Sequence, residues 1–235
     1  MRNGYRKTER FLADLSHEVR GPLHAIVGFT DLLRDEKLGE LNPQQRLAVD
    51  DIRSAADFLL RLVNNTLDIS RLSIGALKIE REVLCLHQLV DSAVHMARGL
   101  AHEHDIHLEH EIPSGLAVLG DECRTRQILH NLLTNAIHFS PPHTTVRVSA
   151  LSDKMQVWTL VEDEGPGIIC ADRERIFEPF VTLKSPYAEP GTGLGLPVCQ
   201  RLVQAMAGQI EIVPRDGSGT CFRFSLPRAE RPEGC

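Results

Sequence analysis

The chain has no apolar run near the ~20 residues that a bilayer-spanning helix needs, and its start, Met1-Arg-Asn-Gly-Tyr5, lacks the apolar core of a secretory leader. A soluble, cytoplasmic chain is the expectation. Positive charge is also short: 26 Lys and Arg against 32 Asp and Glu leave a formal charge of −6. The basic residues are spread out, so there is no electrostatic footprint for nucleic acid or for an anionic membrane surface. The six cysteines, Cys85, Cys123, Cys170, Cys199, Cys221 and Cys235, include no close pair such as C-x-x-C. That argues against a zinc or dithiol redox centre and predicts scattered reduced thiols. Internal repeats and low-complexity stretches are absent too, and 235 residues fit two domains better than one.

What is present begins with helical periodicity. Phe11, Leu15, Val19, Ile26, Phe29 and Leu33 fall at helical spacing up to about Arg34, before a break at Gly39 and Pro43. A second stripe, Leu47, Ile52, Ala55, Leu59, Leu62, Thr66 and Ile69, runs from Pro43 to about Leu72. Two helices joined by a short turn form a hairpin that has too little surface to bury both stripes. Pairing with a second copy as a four-helix bundle, a homodimer, solves that problem.

Beyond Ser73 the pattern changes to short alternating runs. Leu77 to Leu84, Ile106 to Ile112, Thr145 to Leu151, Gln156 to Glu162, Gln209 to Val213 and Thr220 to Leu226 read as strands. Leu86 to about Glu103, Glu122 to His138, Arg173 to Phe177 and Leu196 to Ala207 read as helices, the last ending at Gly208. The fold class is α+β: a helical hairpin over 1–73, an α/β sandwich over 74–228 with one mixed sheet covered by helices, and a polar tail over 229–235.

Three blocks in the sandwich suit a nucleotide. Gln127, Asn131, Asn135 and His138 form a polar stripe on one helix, opposite Ile128, Leu129, Leu132, Leu133, Ala136 and Ile137. Amide oxygens are suitable neutral ligands for Mg²⁺ alongside a triphosphate, although a solvated face gives the same pattern. Asp163-Glu-Gly-Pro-Gly167 follows a β-like run. There a carboxylate can accept from an exocyclic amine, while Gly165 and Gly167 let the backbone approach a flat ring. Gly191-Thr-Gly-Leu-Gly195 opens a helix, whose free N–H groups and dipole can meet phosphate; Pro197 fits that helix's first turn. This loop is neither a dinucleotide fingerprint, which needs G-x-G-x-x-G within a βαβ unit, nor a Walker motif, which ends in G-K-[ST].

In this order, together with Phe177-Glu-Pro-Phe180 and with His17 in the upstream run Ser16-His-Glu-Val-Arg-Gly-Pro-Leu23, these blocks resemble the catalytic core of the sensor histidine kinases of two-component signalling. The resemblance spans about Phe11 to Leu226. It implies a dimerisation and phosphotransfer hairpin followed by an ATP-binding domain of the Bergerat type, also found in certain chaperones and mismatch-repair proteins. It further implies a homodimer, ATP and Mg²⁺ as cofactors, and a response-regulator receiver domain as partner. By the same resemblance His17 is the phosphate acceptor and Glu18 raises its basicity. Asn135 ligates Mg²⁺, Asn131 supports metal and phosphates, and Asp163 reads the adenine amino group. Gly165 and Gly167 line the adenine pocket, Gly191, Gly193 and Gly195 flank a mobile lid over the phosphates spanning Val181 to Pro190, and Thr192 and Leu194 bind the cofactor within the same loop. Lys184 on that lid either reaches the phosphates or is an ordinary exposed lysine. Family members usually carry an upstream input domain, often in a membrane, so the expected location is cytoplasmic, as a soluble member or as the inner part of a sensor.

Two positions depart from the family pattern. Gly21, four residues after His17, replaces the Thr or Asn often found in members that also dephosphorylate their partner, and His138 replaces a more usual lysine. Weak or absent phosphatase activity is therefore expected. Pro22 should bend the helix beside the acceptor, since its ring clashes with the Glu18 carbonyl. Two other readings stay open at this point: a degenerate kinase acting as a nucleotide-gated or dimeric interaction module, and an ATPase of the related fold, which leaves the His17 hairpin unexplained.

Overall fold

The computed structural model describes residues 2–73, 77–187, 191–215 and 218–230, with the side chains of 2–17 and 73 outside that description. The chain divides into two compact units, Met1–Leu77 and Lys78–Cys235.

The first unit is the helical hairpin. Helix α1 spans Arg2–Arg34 with Pro22 inside it, and α2 spans Pro43–Ser73. The turn between them uses left-handed backbone at Glu36 (φ 56°) and Gly39 (φ 116°). Helix α2 starts on a capping box: Asn42 Oδ1 accepts the Gln45 N–H (2.9 Å) while Gln45 Oε1 accepts the Asn42 N–H (3.0 Å). Pro43 then occupies the first helical position, where its missing N–H costs nothing. Ion pairs Arg34–Asp50 (3.1 Å), Arg46–Glu36 and Arg53–Asp31 tie the turn end together.

The seam between the helices is built from Leu23, Thr30, Val49, Ala56, Leu67 and Asp68, all buried. Of the stripes expected from periodicity, Ile26, Phe29, Leu47, Ile52 and Leu59 are instead exposed, Phe29 at 63% and Leu47 at 67%. Val19, Leu33, Leu62 and Ile69 of the same stripes are half-buried, so the stripes visible in sequence flank the seam rather than form it.

The second unit is an α/β sandwich. Its strands are β1 (Glu82–Cys85), β2 (His107–Glu111), β3 (Ala117–Gly120), β4 (Thr145–Ser152), β5 (Gln156–Glu162), β6 (Ile210–Val213) and β7 (Cys221–Ala229). They form a mixed sheet in the order β1-β3-β7-β5-β4-β2, with β6 also pairing β7; β2 and β4 run parallel and the other pairs antiparallel. Helices α3 (Leu86–Glu103), α4 (Glu122–Phe139) and α5 (Gly195–Ala205) supply the apolar surface opposite the sheet. Strand alternation sends Val146, Val148, Val157, Val161, Phe222 and Phe224 into the core, together with Ile128, Leu129, Leu132, Val198 and Leu202. On the other face Arg223 lies 4.5 Å over the Trp158 ring and pairs with Glu211.

Several expectations shift. The strand expected from Leu77 is regular only over Glu82–Cys85, and the short β3 between Gly115 and α4 has too few residues to show a period. The helix expected at Arg173 to Phe177 is a pair of single 3₁₀ turns, Cys170–Asp172 and Arg175–Phe177. Gly208 is not the left-handed stop of α5: Ala207 takes the positive φ (63°). Gly208 is small for a different reason, since a Cβ there would lie 1.8 Å from the Ser225 carbonyl oxygen. Cys123, Cys170, Cys199 and Cys221 are free thiols, but Cys85 is disulfide-bonded, against the expectation of uniformly reduced cysteines.

Candidate active site

Helix α4 is the floor of the site. Asp121 caps it by accepting the Arg124 N–H (3.0 Å), and its other oxygen accepts the Glu80 N–H (3.0 Å), fixing the chain before β1 to the same point. The apolar face is sealed by Thr125, Ile128, Leu129, Leu132, Leu133, Ala136 and Ile137. Opposite it, Gln127, Asn131, Asn135 and His138 are half-buried rather than solvated, which weakens the solvated-face reading. Asn131 donates from Nδ2 to Cys199 Sγ on α5 (3.5 Å). The His138 ring meets His104 edge-on, with centroids 5.1 Å apart.

Asp163 directly follows β5 and is only 3% exposed. Its Oδ1 accepts two backbone N–H groups, from Gly165 (2.9 Å) and Thr220 (3.0 Å), and its own N–H donates to the Thr220 carbonyl (2.9 Å). Burial pushes this carboxyl above the usual Asp range, opposed by the Gly165 and Thr220 hydrogen bonds and by Arg215. The Arg215 guanidinium donates to the Asp163 carbonyl (3.0 Å). Gly165 packs on the end of α4, where a Cβ would sit 2.6 Å from the Phe139 carbonyl oxygen; Gly167 takes φ 79°.

The structure thus adds Gly219, Thr220 and Arg215, which sequence reasoning missed. A Cβ on Gly219 (φ 100°) would lie 2.2 Å from the Asp163 carbonyl oxygen. The sequence signal was the second Gly-rich turn before β7, whose relevance depends on the β5–β7 register: Glu162 opposes Cys221, so Asp163 meets Thr220.

The glycine-rich loop approaches α4 from the other side. Leu194, 1% exposed, is the N-cap residue of α5 and its own side chain makes no capping hydrogen bond to the first turn. Thr192 Oγ1 accepts the Leu194 N–H (3.3 Å). Gly193 (φ 65°) accepts the Phe180 N–H (2.9 Å), and a Cβ on it would lie 2.7 Å from the Phe180 carbonyl carbon. Phe180 itself has φ 66° and an exposed ring. This contact closes the base of the segment between Phe180 and Gly193. Within it Lys184 is exposed and residues 188–190 lie outside the described residues. Gly191 faces open space, and Gly195 lies against the Asn131 side chain.

The expected residues of this unit therefore converge along α4. Its middle, at Asn131, meets the glycine loop, its last residue meets the Asp163 turn, and Asn135 lies one helical turn after Asn131 on the same stripe. In the hairpin, His17 is on α1 with its side chain outside the described residues, and Glu18 is exposed. Among the described residues no cluster of three or more His, Cys, Asp or Glu is arranged to hold a metal.

Residues 7–75 match the model of the His Kinase A (phospho-acceptor) domain, and residues 120–230 that of the Histidine kinase-, DNA gyrase B-, and HSP90-like ATPase. The chain is 33% identical to hybrid signal transduction histidine kinase K of Dictyostelium discoideum, an alignment covering 96% of this chain and 20% of that protein. It is 32% identical to the circadian input-output histidine kinase CikA of Thermosynechococcus vestitus, covering 99% and 32%. The chain thus spans about a fifth to a third of these relatives' length. Among solved structures, full-length ShkA in complex with AMPPNP superposes with a TM-score of 0.77 at 34% identity, over 94% of this chain and 46% of that one. The mycobacterial sensor histidine kinase MprB gives 0.57 at 26%, over 64% and 99%.

Proposed function

The chain belongs to the sensor histidine kinase family, as its catalytic core, and from that premise we propose that it is an ATP-dependent autokinase that phosphorylates His17 and passes the phosphate to an aspartate of a response-regulator receiver domain. The hairpin, 1–73, serves as dimerisation and phosphotransfer domain, and 74–228 as the ATP-binding domain. The observation that carries the reading is the Asp163 carboxylate, buried and fixed by two backbone N–H groups beside a glycine whose Cβ would strike the end of α4. A carboxylate oriented in this way accepts from an adenine amino group, and its burial makes that hydrogen bond count. Thr220 shares the task by holding Asp163 in place. AMPPNP in the ShkA structure is in keeping with the same ligand class here.

The uncapped start of α5 and the glycine loop receive the phosphates. Asn135, with Asn131 behind it, supplies half-buried amide oxygens, neutral hard donors that fit Mg²⁺ arriving with the triphosphate. When bound, Mg²⁺ neutralises charge on the phosphates. The unprotonated nitrogen of His17 attacks the γ-phosphorus in line. An N–P bond forms, the bond from phosphorus to the β–γ bridging oxygen breaks, and its electron pair leaves with ADP. Glu18 accepts a hydrogen bond from the other ring nitrogen and stabilises the developing positive charge. The hairpin pairs with a second copy through the open apolar face of α1 and α2, a reading in keeping with exposed Phe29, Leu47 and Ile52.

The test is transfer of γ-labelled phosphate from Mg-ATP to the chain. We expect acid-labile label in the parent, at least ~10³-fold less in His17→Ala, and none without nucleotide-site Asp163. Equal labelling of His17→Ala overturns the assignment of the acceptor.

A further inference from the structure

Helix α5 meets one side chain of the polar stripe on α4 through a sulfur hydrogen bond, and a glycine on the same face lies beside that side chain. Cys199 sits on α5 one helical turn after Gly195 and is fully buried (0% exposed). Its Sγ accepts the Asn131 Nδ2–H at 3.5 Å, a length suited to a sulfur acceptor. Gly195, on the same face of α5, lies beside the same amide: a Cβ built there would lie 3.8, 3.9 and 4.0 Å from Asn131 Cγ, Nδ2 and Oδ1. Near-equal distances to three atoms of a planar group mean that the plane lies face-on to the Gly195 position. The amide face therefore lies beside α5 at Gly195, and the Cys199 sulfur tells apart its two ends, which a half-turn about Cβ–Cγ would exchange.

That rotation matters chemically. An asparagine amide presents an acceptor at one end and donors at the other, and a half-turn exchanges them. With Nδ2 committed to sulfur, Oδ1 is the end left for a ligand, the end that suits a cation or its bound water. Burial pushes the Cys199 thiol up to about 12, so it remains an uncharged thiol throughout the physiological range and the arrangement does not titrate.

We propose that Cys199 is a positioning residue for nucleotide binding: its buried sulfur holds the Asn131 amide with the oxygen turned toward the phosphates and their metal. The inference rests on the reading of Asn131 as a residue on the phosphate side. It adds a specificity layer to the glycine loop, because the helix that receives the phosphates also orients the amide.

The experiment is isothermal titration of Mg-AMPPNP into the full chain carrying Cys199→Ala, Cys199→Val, Cys199→Ser, Asn131→Ala and the double change C199A/N131A. Alanine and valine bracket the cysteine in volume but offer no acceptor, so both should raise the Kd by roughly 3- to 10-fold, the worth of one neutral hydrogen bond. Serine restores an acceptor and should stay within about twofold of the parent. In the Asn131→Ala background, Cys199→Ala should add less than about twofold, since its partner is gone. A packing defect at Cys199 would weaken both backgrounds equally. The proposal is overturned if Ala and Val bind as the parent does, if Ser is as weak as Ala, or if the two changes are additive. Parent-like binding by Asn131→Ala overturns the reading of Asn131 itself, and the inference with it; a clear loss there with unaffected Cys199 variants overturns the inference alone.

Discussion

The hairpin and the sandwich differ in how they are held together. In the sandwich, Ile128, Leu129, Leu132, Leu133, Val198 and Leu202 are all at 0% exposure, and three helices share one sheet. Among the described side chains of the hairpin six are buried, two of them polar, while Phe29, Leu47 and Ile52 face outward. One unit closes its own core, and the other leaves an apolar face open. The proposed function suits that difference: nucleotide binding calls for a preorganised frame, and the proposed pairing of hairpins for a face that another copy can meet.

The first way to break that contrast is to empty each core. Leu132→Ala should cost the sandwich about 2–5 kcal/mol in urea unfolding, because a leucine that touches protein on all sides leaves a cavity. Leu47→Ala should cost well under ~1 kcal/mol in a monomeric reference, being mostly solvated already. Comparable losses would contradict the difference in packing.

Next in size is Phe29→Asp, expected to weaken self-association by at least about tenfold in sedimentation while leaving AMPPNP affinity unchanged. An undiminished dimer would move the interface to another face.

A third prediction concerns the cost of the site within the well-packed unit. Because burial raises the Asp163 pKa, the folded chain holds that proton more tightly than the unfolded one. This contribution favours folding fully below the ordinary value of 3.8 and is lost as pH rises through the raised value. At neutral pH the ionised carboxylate is therefore a burden on the fold. Asp163→Asn should keep or slightly raise the nucleotide-free Tm at pH 7, flatten its dependence on acid pH, and abolish the Tm increase caused by AMPPNP. A lower nucleotide-free Tm with the ligand shift retained would contradict both roles.

The smallest effect is expected at Gly21, where an added Cβ meets nothing within 4 Å. Gly21→Thr should change stability by only about 0.5 kcal/mol. Its informative readout is the dephosphorylation rate of a phosphorylated receiver, which should rise above the weak activity expected of the parent.

These expectations show how far local pattern reaches. Helix α3 and strand β5 have the bounds that periodicity suggests, Leu86–Glu103 and Gln156–Glu162, because each is long enough to repeat its period and is bounded by turn residues. β3 has four residues and no such signal, and the 3₁₀ turns after Ile169 have no period to detect. In the site, Asn131, Asp163 and the glycines are legible because each stands in a short spaced motif. Thr220 is not legible: its partnership with Asp163 spans 57 positions.

By itself the sequence determined the order of the two units, the two-helix character of the first, and the residue types in the motifs proposed to receive a nucleotide and its phosphate. Tertiary structure decided which face of each hairpin helix is buried, that Gly208 serves close packing against Ser225 rather than a left-handed turn, and that Thr220, Arg215 and Cys199 hold the site residues in place. The physical reason is range. Propensity and periodicity act within a turn or two of chain, while register across a sheet and the approach of α4 to α5 are set by the burial of surfaces far apart in sequence.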